Sequence, residues 1–182
     1  MSHPTPINRP LPALITPDCT TLVLGSMPSV VSLAGEAYYA HPRNLFWDIA
    51  ATLFQISRDL PYEVRVARLL AQHIGLWDVL KTANRTGSSD ASIRNAVPND
   101  FLALLVTYPQ LRHICLNGAA AGRFWQRLVL PSLCAGLDAP RLREIMVTPI
   151  PSTSPANASM PRKAKFAQWR DALLMSTGRL AF

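Results

Sequence analysis

Cysteine is scarce: Cys19, Cys115 and Cys134 are the only three in 182 residues, far apart and without a C-x-x-C pair. That spacing excludes a disulfide framework, a structural zinc site and a four-thiolate cluster, and it points to a reducing cytoplasm. Acidic residues are also few, 11 against 18 Lys+Arg, leaving a formal charge of +7. The surplus is one-sided. Residues 1–100 balance eight basic against eight acidic side chains, whereas residues 101–182 carry ten against three. Such a field suits a polyanionic partner without saying which one. No apolar run approaches the roughly 18–20 residues that span a bilayer. The opening MSHPTPINRPLPALITPD has neither the basic start nor the apolar core of a secretory signal. Nucleotide and hydrolase signatures are missing too: there is no GxGxxG, no GxxxxGK[ST] and no GxSxG elbow. His3, His41, His73 and His113 lack metal-ligand spacing, so each reads as a packed or surface residue, with His41 nearest a functional loop.

What is present is core material, 49% hydrophobic against 16% charged, in a chain of single-domain length. Five prolines in residues 1–18 forbid a helix or central strand there, so this stretch reads as an extended arm on a domain formed by 19–182. TTLVLG (20–25), IGLWDVL (74–80), HICLN (113–117) and REIMVTPI (143–150) read as four buried strands. Helices are expected from Asn44 through Phe54, after Pro61 with Val64, Ala67, Leu70 and Ala71 inward, and from Pro98 or Asn99 through Leu105. Another follows Gly118, and a last one, capped by Ser159 with Pro161 in its first turn, buries Phe166, Trp169 and Leu173. KTANRTGSSDASIR reads as a polar loop. Repeated strand–loop–helix units predict an α/β fold: a three-layer α/β/α arrangement around a four-stranded, mainly parallel sheet. Ligands of such sheets bind beyond the strands' carboxyl ends, where loops 25–43 and 151–161 should share one cleft.

The first of these loops carries Tyr38 and Tyr39 ahead of HPRN-LFW. Phe46 and Trp47 read as core. The tyrosine pair, among amides and hydroxyls, could stack a planar heterocycle and read its edge. Asn44 offers an amide, but it equally suits a helix cap. The second loop, PSTSPANA, brings Ser152, Thr153, Ser154 and Asn157 to a helix start, followed by Arg162, Lys163 and Lys165. Hydroxyls, main-chain N–H groups and a helix N-terminus hold phosphates. On this loop alone, an ordinary Ser/Pro turn before a solvated basic helix explains the residues better.

Together, GSMPS…YYAHPRNLFW and the later PSTSPANA resemble the uracil-DNA glycosylase superfamily, closest to its deoxyinosine (hypoxanthine) branch. Mismatch-specific uracil and thymine glycosylases, with AHPxNxFW after a GINPG loop, are the next likeness. Two motifs in the right order over nearly the whole chain are far more specific than either alone. The resemblance implies roles residue by residue. Gly25–Pro28 shapes the base pocket and positions water, with Ser26 where GINPG relatives have asparagine and Met27 against the base. Asn44 matches the asparagine that holds the water in the deoxyinosine branch. Tyr39 matches the stacking aromatic, and Asn117 a polar pocket residue. Asp78 lies near where relatives read the base edge. Ser152–Pro155 matches the phosphate grip, and 156–160 the wedge that fills the gap in the duplex. Pro28-Ser29 replaces the usual Pro-Gly, which implies an altered loop backbone because serine resists positive φ.

The implied activity is hydrolysis of the N-glycosidic bond of a deaminated base, hypoxanthine or uracil, in DNA. It implies a monofunctional, monomeric enzyme without metal or cofactor, with Arg123 and Arg127 as further phosphate contacts. Competing readings are a non-catalytic nucleic-acid-binding domain of the same fold and an α/β hydrolase of free nucleosides. The basic surplus favours the first two.

Overall fold

A computed structural model describes residues 5–7, 10–157 and 160–176. Among the described residues, seven strands form two sheets. β1 (Thr5–Ile7), β4 (Leu80–Arg85) and β5 (Arg94–Pro98) make a small antiparallel sheet in the order β1-β4-β5. β2 (Thr21–Gly25), β3 (Ile74–Asp78), β6 (His113–Asn117) and β7 (Met146–Ile150) make the central sheet, ordered β3-β2-β6-β7 with every pair parallel. The four expected strands are therefore all present.

Alternation along the central strands builds two cores. Leu22, Leu24, Ile114 and Leu116 meet α4 (Phe101–Thr107) and a continuous helical stretch. That stretch runs from α5 (Ala119–Phe124) through a π turn (Trp125–Val129) to α6 (Leu130–Gly136). Val23, Ile74, Leu76 and Cys115 meet α2 (Phe46–Phe54), α3 (Tyr62–Leu70) and α8 (Arg162–Ser176) on the other face. Trp125 anchors the first core, and Trp47 and Trp169 the second, all almost fully buried. Truncating any of them to alanine costs about 3–5 kcal/mol.

Several local expectations are corrected. Residues 81–94 are not one polar loop, because β4 and β5 lie within 80–98. β4 buries Leu80, Ala83 and Arg85, and register shifts on either side of Thr82 break its period-two pattern. A buried arginine and a bulged register together make a strand read as polar. Loop 25–43 contains α1 (Val30–Ala34), with Ser29 as its cap accepting the Ser32 N–H. Asp100, not Asn99 or Pro98, caps α4 by accepting the Ala103 N–H. α3 turns Tyr62, Val66 and Leu69 inward and leaves Val64 38% exposed. Its alternative stripe loses because Arg65 lies over the Trp47 and Tyr62 rings, 4.6 and 5.5 Å from their centroids. Residues 143 and 144 end α7 (Ala139–Glu144), so β7 starts at Met146. Phe166 is only partly buried, and the predicted cap Ser159 lies outside the described residues.

The proline-rich arm contributes β1 at a sheet edge, where a missing N–H is tolerated. Further along, Leu14 and Leu76 exchange two main-chain hydrogen bonds of 2.9 Å.

Candidate active site

The carboxyl ends of β2, β3 and β6 open into a cleft of about 100 Å³, and both long loops line it. After β2 the chain passes through Gly25-Ser26-Met27-Pro28. A Cβ on Gly25 would stand 2.6 Å from Asp78 Oδ1, so only glycine lets the neighbouring strand's carboxyl come this close. Ser26 Oγ donates to Asp90 Oδ1 at 2.7 Å, and its carbonyl accepts the Leu80 N–H at 3.0 Å. The buried Arg85 donates from Nη2 to Pro28 O at 2.5 Å and from Nε to Gly87 O at 3.0 Å. Arg85 and Asp90 thus lock the first loop from beneath. Ser29 has φ −69°, so its replacement of glycine introduces no left-handed strain.

The two tyrosines diverge. Tyr38 turns into the core and donates to Leu11 O and Pro12 O at 3.2 and 3.1 Å, tying down the arm. Tyr39 adopts φ +57°, which costs a non-glycine residue on the order of 1–3 kcal/mol. That conformation lays its ring on Phe46, with centroids 4.2 Å apart, while Tyr39 lines the cleft. Phe46 is therefore core, as expected, and also the backing of the aromatic platform. Asn44 is not the cap of α2, a place taken by Leu45. Asn44 Oδ1 accepts the Phe46 N–H at 3.0 Å at the start of α2, and the residue lines the cleft. His41 accepts the Arg43 N–H and is not among the lining residues.

Asn117 and Thr153 are joined by two bonds of 3.0 Å: Asn117 Nδ2 donates to Thr153 Oγ1, and Asn117 Oδ1 accepts the Thr153 N–H. The Asn117 amide and the hydroxyl loop are one unit. Gly118, at φ +94°, makes room for this, since a Cβ there would meet Ser152 Cβ at 2.8 Å. Ser152 Oγ accepts the Ser154 N–H, and Ser154 Oγ accepts the Ala156 N–H, so the loop is internally braced.

Of the expected DNA-contacting residues, Ser152, Thr153 and Ser154 line the cleft; Asn157, Arg162 and Lys163 do not. Thr153 is 1% exposed and faces inward. Asn157 folds back toward Ser152 O. Arg162 pairs with Asp48 Oδ2 at 3.0 Å, and Arg58 holds the other oxygen of that carboxylate at 2.9 Å. Lys165 is corrected as a phosphate contact: only 2% exposed, it donates to Ser152 O at 2.9 Å and to Asn157 O, clamping the loop from behind. Of the wedge segment, 158 and 159 lie outside the described residues.

Burial dominates the electrostatics. The Asp78 carboxyl is pushed up to about 8 by loss of water, with nearby Arg85 opposing the shift and Asp90 adding to it. Burial likewise raises the Tyr39 phenol, which sits beside Asn117. Asp78 Oδ2 is buried without a hydrogen-bond partner. Sequence reasoning missed Arg85 and Asp90; the only signal was the polar string RTGSSD between two apolar runs.

A parallel α/β/α sandwich thus carries an aromatic platform, amides and a braced hydroxyl loop in one cleft at its strand ends. The chain belongs to the uracil DNA glycosylase superfamily, whose family profile matches residues 12–174. It is similar to a hypoxanthine DNA glycosylase of Methanosarcina acetivorans, 37% identical over 135 residues, covering 69% of this chain and 85% of the relative. Its counterpart in Methanosarcina barkeri is 35% identical over 116 residues, covering 62% of this chain and 72% of the relative. Among solved structures, an M. acetivorans protein determined by solution NMR and provisionally assigned as a uracil DNA glycosylase superposes with TM-score 0.77. It is 32% identical, over 94% of this chain and 99% of that one. Among the described residues, no helix is long and apolar enough to cross a membrane.

Proposed function

We propose that this protein is a monofunctional DNA glycosylase that hydrolyses the N-glycosidic bond of hypoxanthine, with uracil as a second base, after the nucleotide leaves the helix. The observation that carries this reading is the convergence of Asn44, Tyr39, Asn117 and Asp78 on one cleft beside the Ser152–Ser154 loop. Extruding the base costs a few kcal/mol, least at a mismatch. The base stacks on Tyr39, with Met27 at the pocket wall and Asn117 and Asp78 at its edge. As the bond lengthens, positive charge grows on the sugar and negative charge on the base. The second Nδ2 hydrogen of Asn117 is a donor for that charge, and one such donor contributes about 10²–10³ in rate. Asn44 is a weak base, and its part is to hold the attacking water beneath C1′. Ser26, committed to Asp90, shapes the first loop without activating water itself. Ser152, Ser154 and Lys163 serve the flanking phosphates, while Asn157 and Arg162 are turned to Ser152 O and Asp48.

Strand cleavage through a Schiff base needs a free amine at the sugar. Among the described residues no lysine lines the cleft, and the Lys165 amine is held by two carbonyls behind the loop. The protein acts as a monomer in the cytoplasm on this reading, with residues 1–18 as an arm on one domain. Incubation with a duplex carrying one deoxyinosine should release free hypoxanthine and leave the strand intact until alkali is added. Salt-sensitive binding without base release would instead establish the non-catalytic alternative.

A further inference from the structure

Asp78 closes β3 at the floor of the cleft and is 5% exposed. Its main chain is fixed, because its carbonyl accepts Asn99 Nδ2 at 2.8 Å. Its side chain is not consumed by structure. Oδ1 rests against the backbone of Gly25, and Oδ2 is buried with no hydrogen-bond partner. The charged and titratable groups facing it come from three directions: Arg85 on β4, Asp90 in the 3₁₀ turn 90–92, and the phenols of Tyr38 and Tyr39. Arg85 spends its bonds on Pro28 O and Gly87 O and leaves the Asp78 carboxyl unpaired. An orphaned carboxyl oxygen costs stability, so its placement in a base pocket calls for a partner that arrives with the substrate.

Resting on the glycosylase reading, we propose that Asp78 is the general acid of the reaction, delivering a proton to N7 of a departing purine, so that the pocket is built for hypoxanthine. N7 is the most basic ring nitrogen of a hypoxanthine nucleotide, and a purine protonated there leaves as a neutral base. The water held by Asn44 forms the new C1′–O bond while the C1′–N9 bond breaks and its electron pair moves into the purine. The Asp78 proton goes to N7. The attacking water's surplus proton passes to solvent, which reprotonates the carboxylate after the base departs. The products are free hypoxanthine and an abasic sugar. Burial supports the role, since a carboxyl held at about 8 keeps its proton at neutral pH.

Single-turnover release of hypoxanthine from a deoxyinosine duplex tests the proposal. Asp78→Asn keeps the shape but has no acidic proton, and its rate should fall about 10²-fold or more, within the range of general acid catalysis. Its affinity for a duplex carrying a non-hydrolysable deoxyinosine analogue should be retained. A second arm needs no variant: wild-type protein should bind a 7-deaza-2′-deoxyinosine duplex and fail to release its base. Asp78→Asn at the wild-type rate, or 7-deazahypoxanthine released as fast as hypoxanthine, would overturn the acid role alone. Wild-type protein that releases no hypoxanthine would overturn the glycosylase reading, and the acid role with it.

Discussion

Two residues each do two things, and their variants separate the roles. Asn44 accepts the Phe46 N–H with its Oδ1 and lines the cleft. Asn44→Ala should therefore lose about 1 kcal/mol of stability with the bond to the Phe46 N–H. Separately, base release should fall about 10²-fold through loss of water positioning, with duplex affinity unchanged. Full activity in Asn44→Ala, alongside lost activity in Asn117→Ala, would contradict the water assignment. Asp78 also marks the pH profile of stability. An unfolded aspartate loses its proton near 3.8, whereas this one keeps it to about 8. Between those values the native state holds the extra proton, so the Asp78 contribution to stability declines as pH rises through the window. Asp78→Asn removes that decline. Paired thermal melts should show the variant gaining on the wild type from pH 5 to pH 8; a constant difference would contradict the buried, protonated carboxyl.

At the scale of elements, the site is a junction between strand ends and two loops held from behind. Lys165 illustrates the difference between clamping a loop and touching DNA. Lys165→Met should weaken duplex binding through the loop while leaving the salt dependence as it was. Lys163→Ala, on the exposed side of the same turn, should reduce the slope of log K against log salt by about 0.9, one phosphate's worth. Titrations at several salt concentrations distinguish them. Gly118→Ala should disrupt binding and stability together, since its Cβ would press on Ser152 at an unfavourable φ. Much of this scaffold is legible in sequence. The four central strands announce themselves as short apolar runs, and the two motif loops identify most of the cleft residues by resemblance. The second sheet does not, because register shifts and a buried arginine erase the pattern of β4. The Ser26–Asp90 bond, spanning 64 positions, leaves no local trace either. Lys165 looks like one more charge in a basic helix until its two carbonyl acceptors are seen.

For the whole molecule, the formal charge of +7 overstates what faces a partner. Arg141 is drawn to Leu111 O and Glu144, Arg170 to Asp171, Arg162 to Asp48, and Lys165 is buried. Lys163, with Arg123 and Arg127 on a groove that shares Asp90 with the base cleft, carries more of the remaining field. On the proposed reading, the uneven charge draws DNA toward the cleft where base release takes place. The most direct measurement gives the purified protein deoxyinosine in two forms, within a duplex oligonucleotide and as the free nucleoside, and follows free hypoxanthine and strand length together. A flipping glycosylase should release hypoxanthine from the duplex, leave the phosphodiester chain intact, and ignore the nucleoside. Hydrolysis of the nucleoside at a comparable rate, or no base released from DNA, would contradict the account.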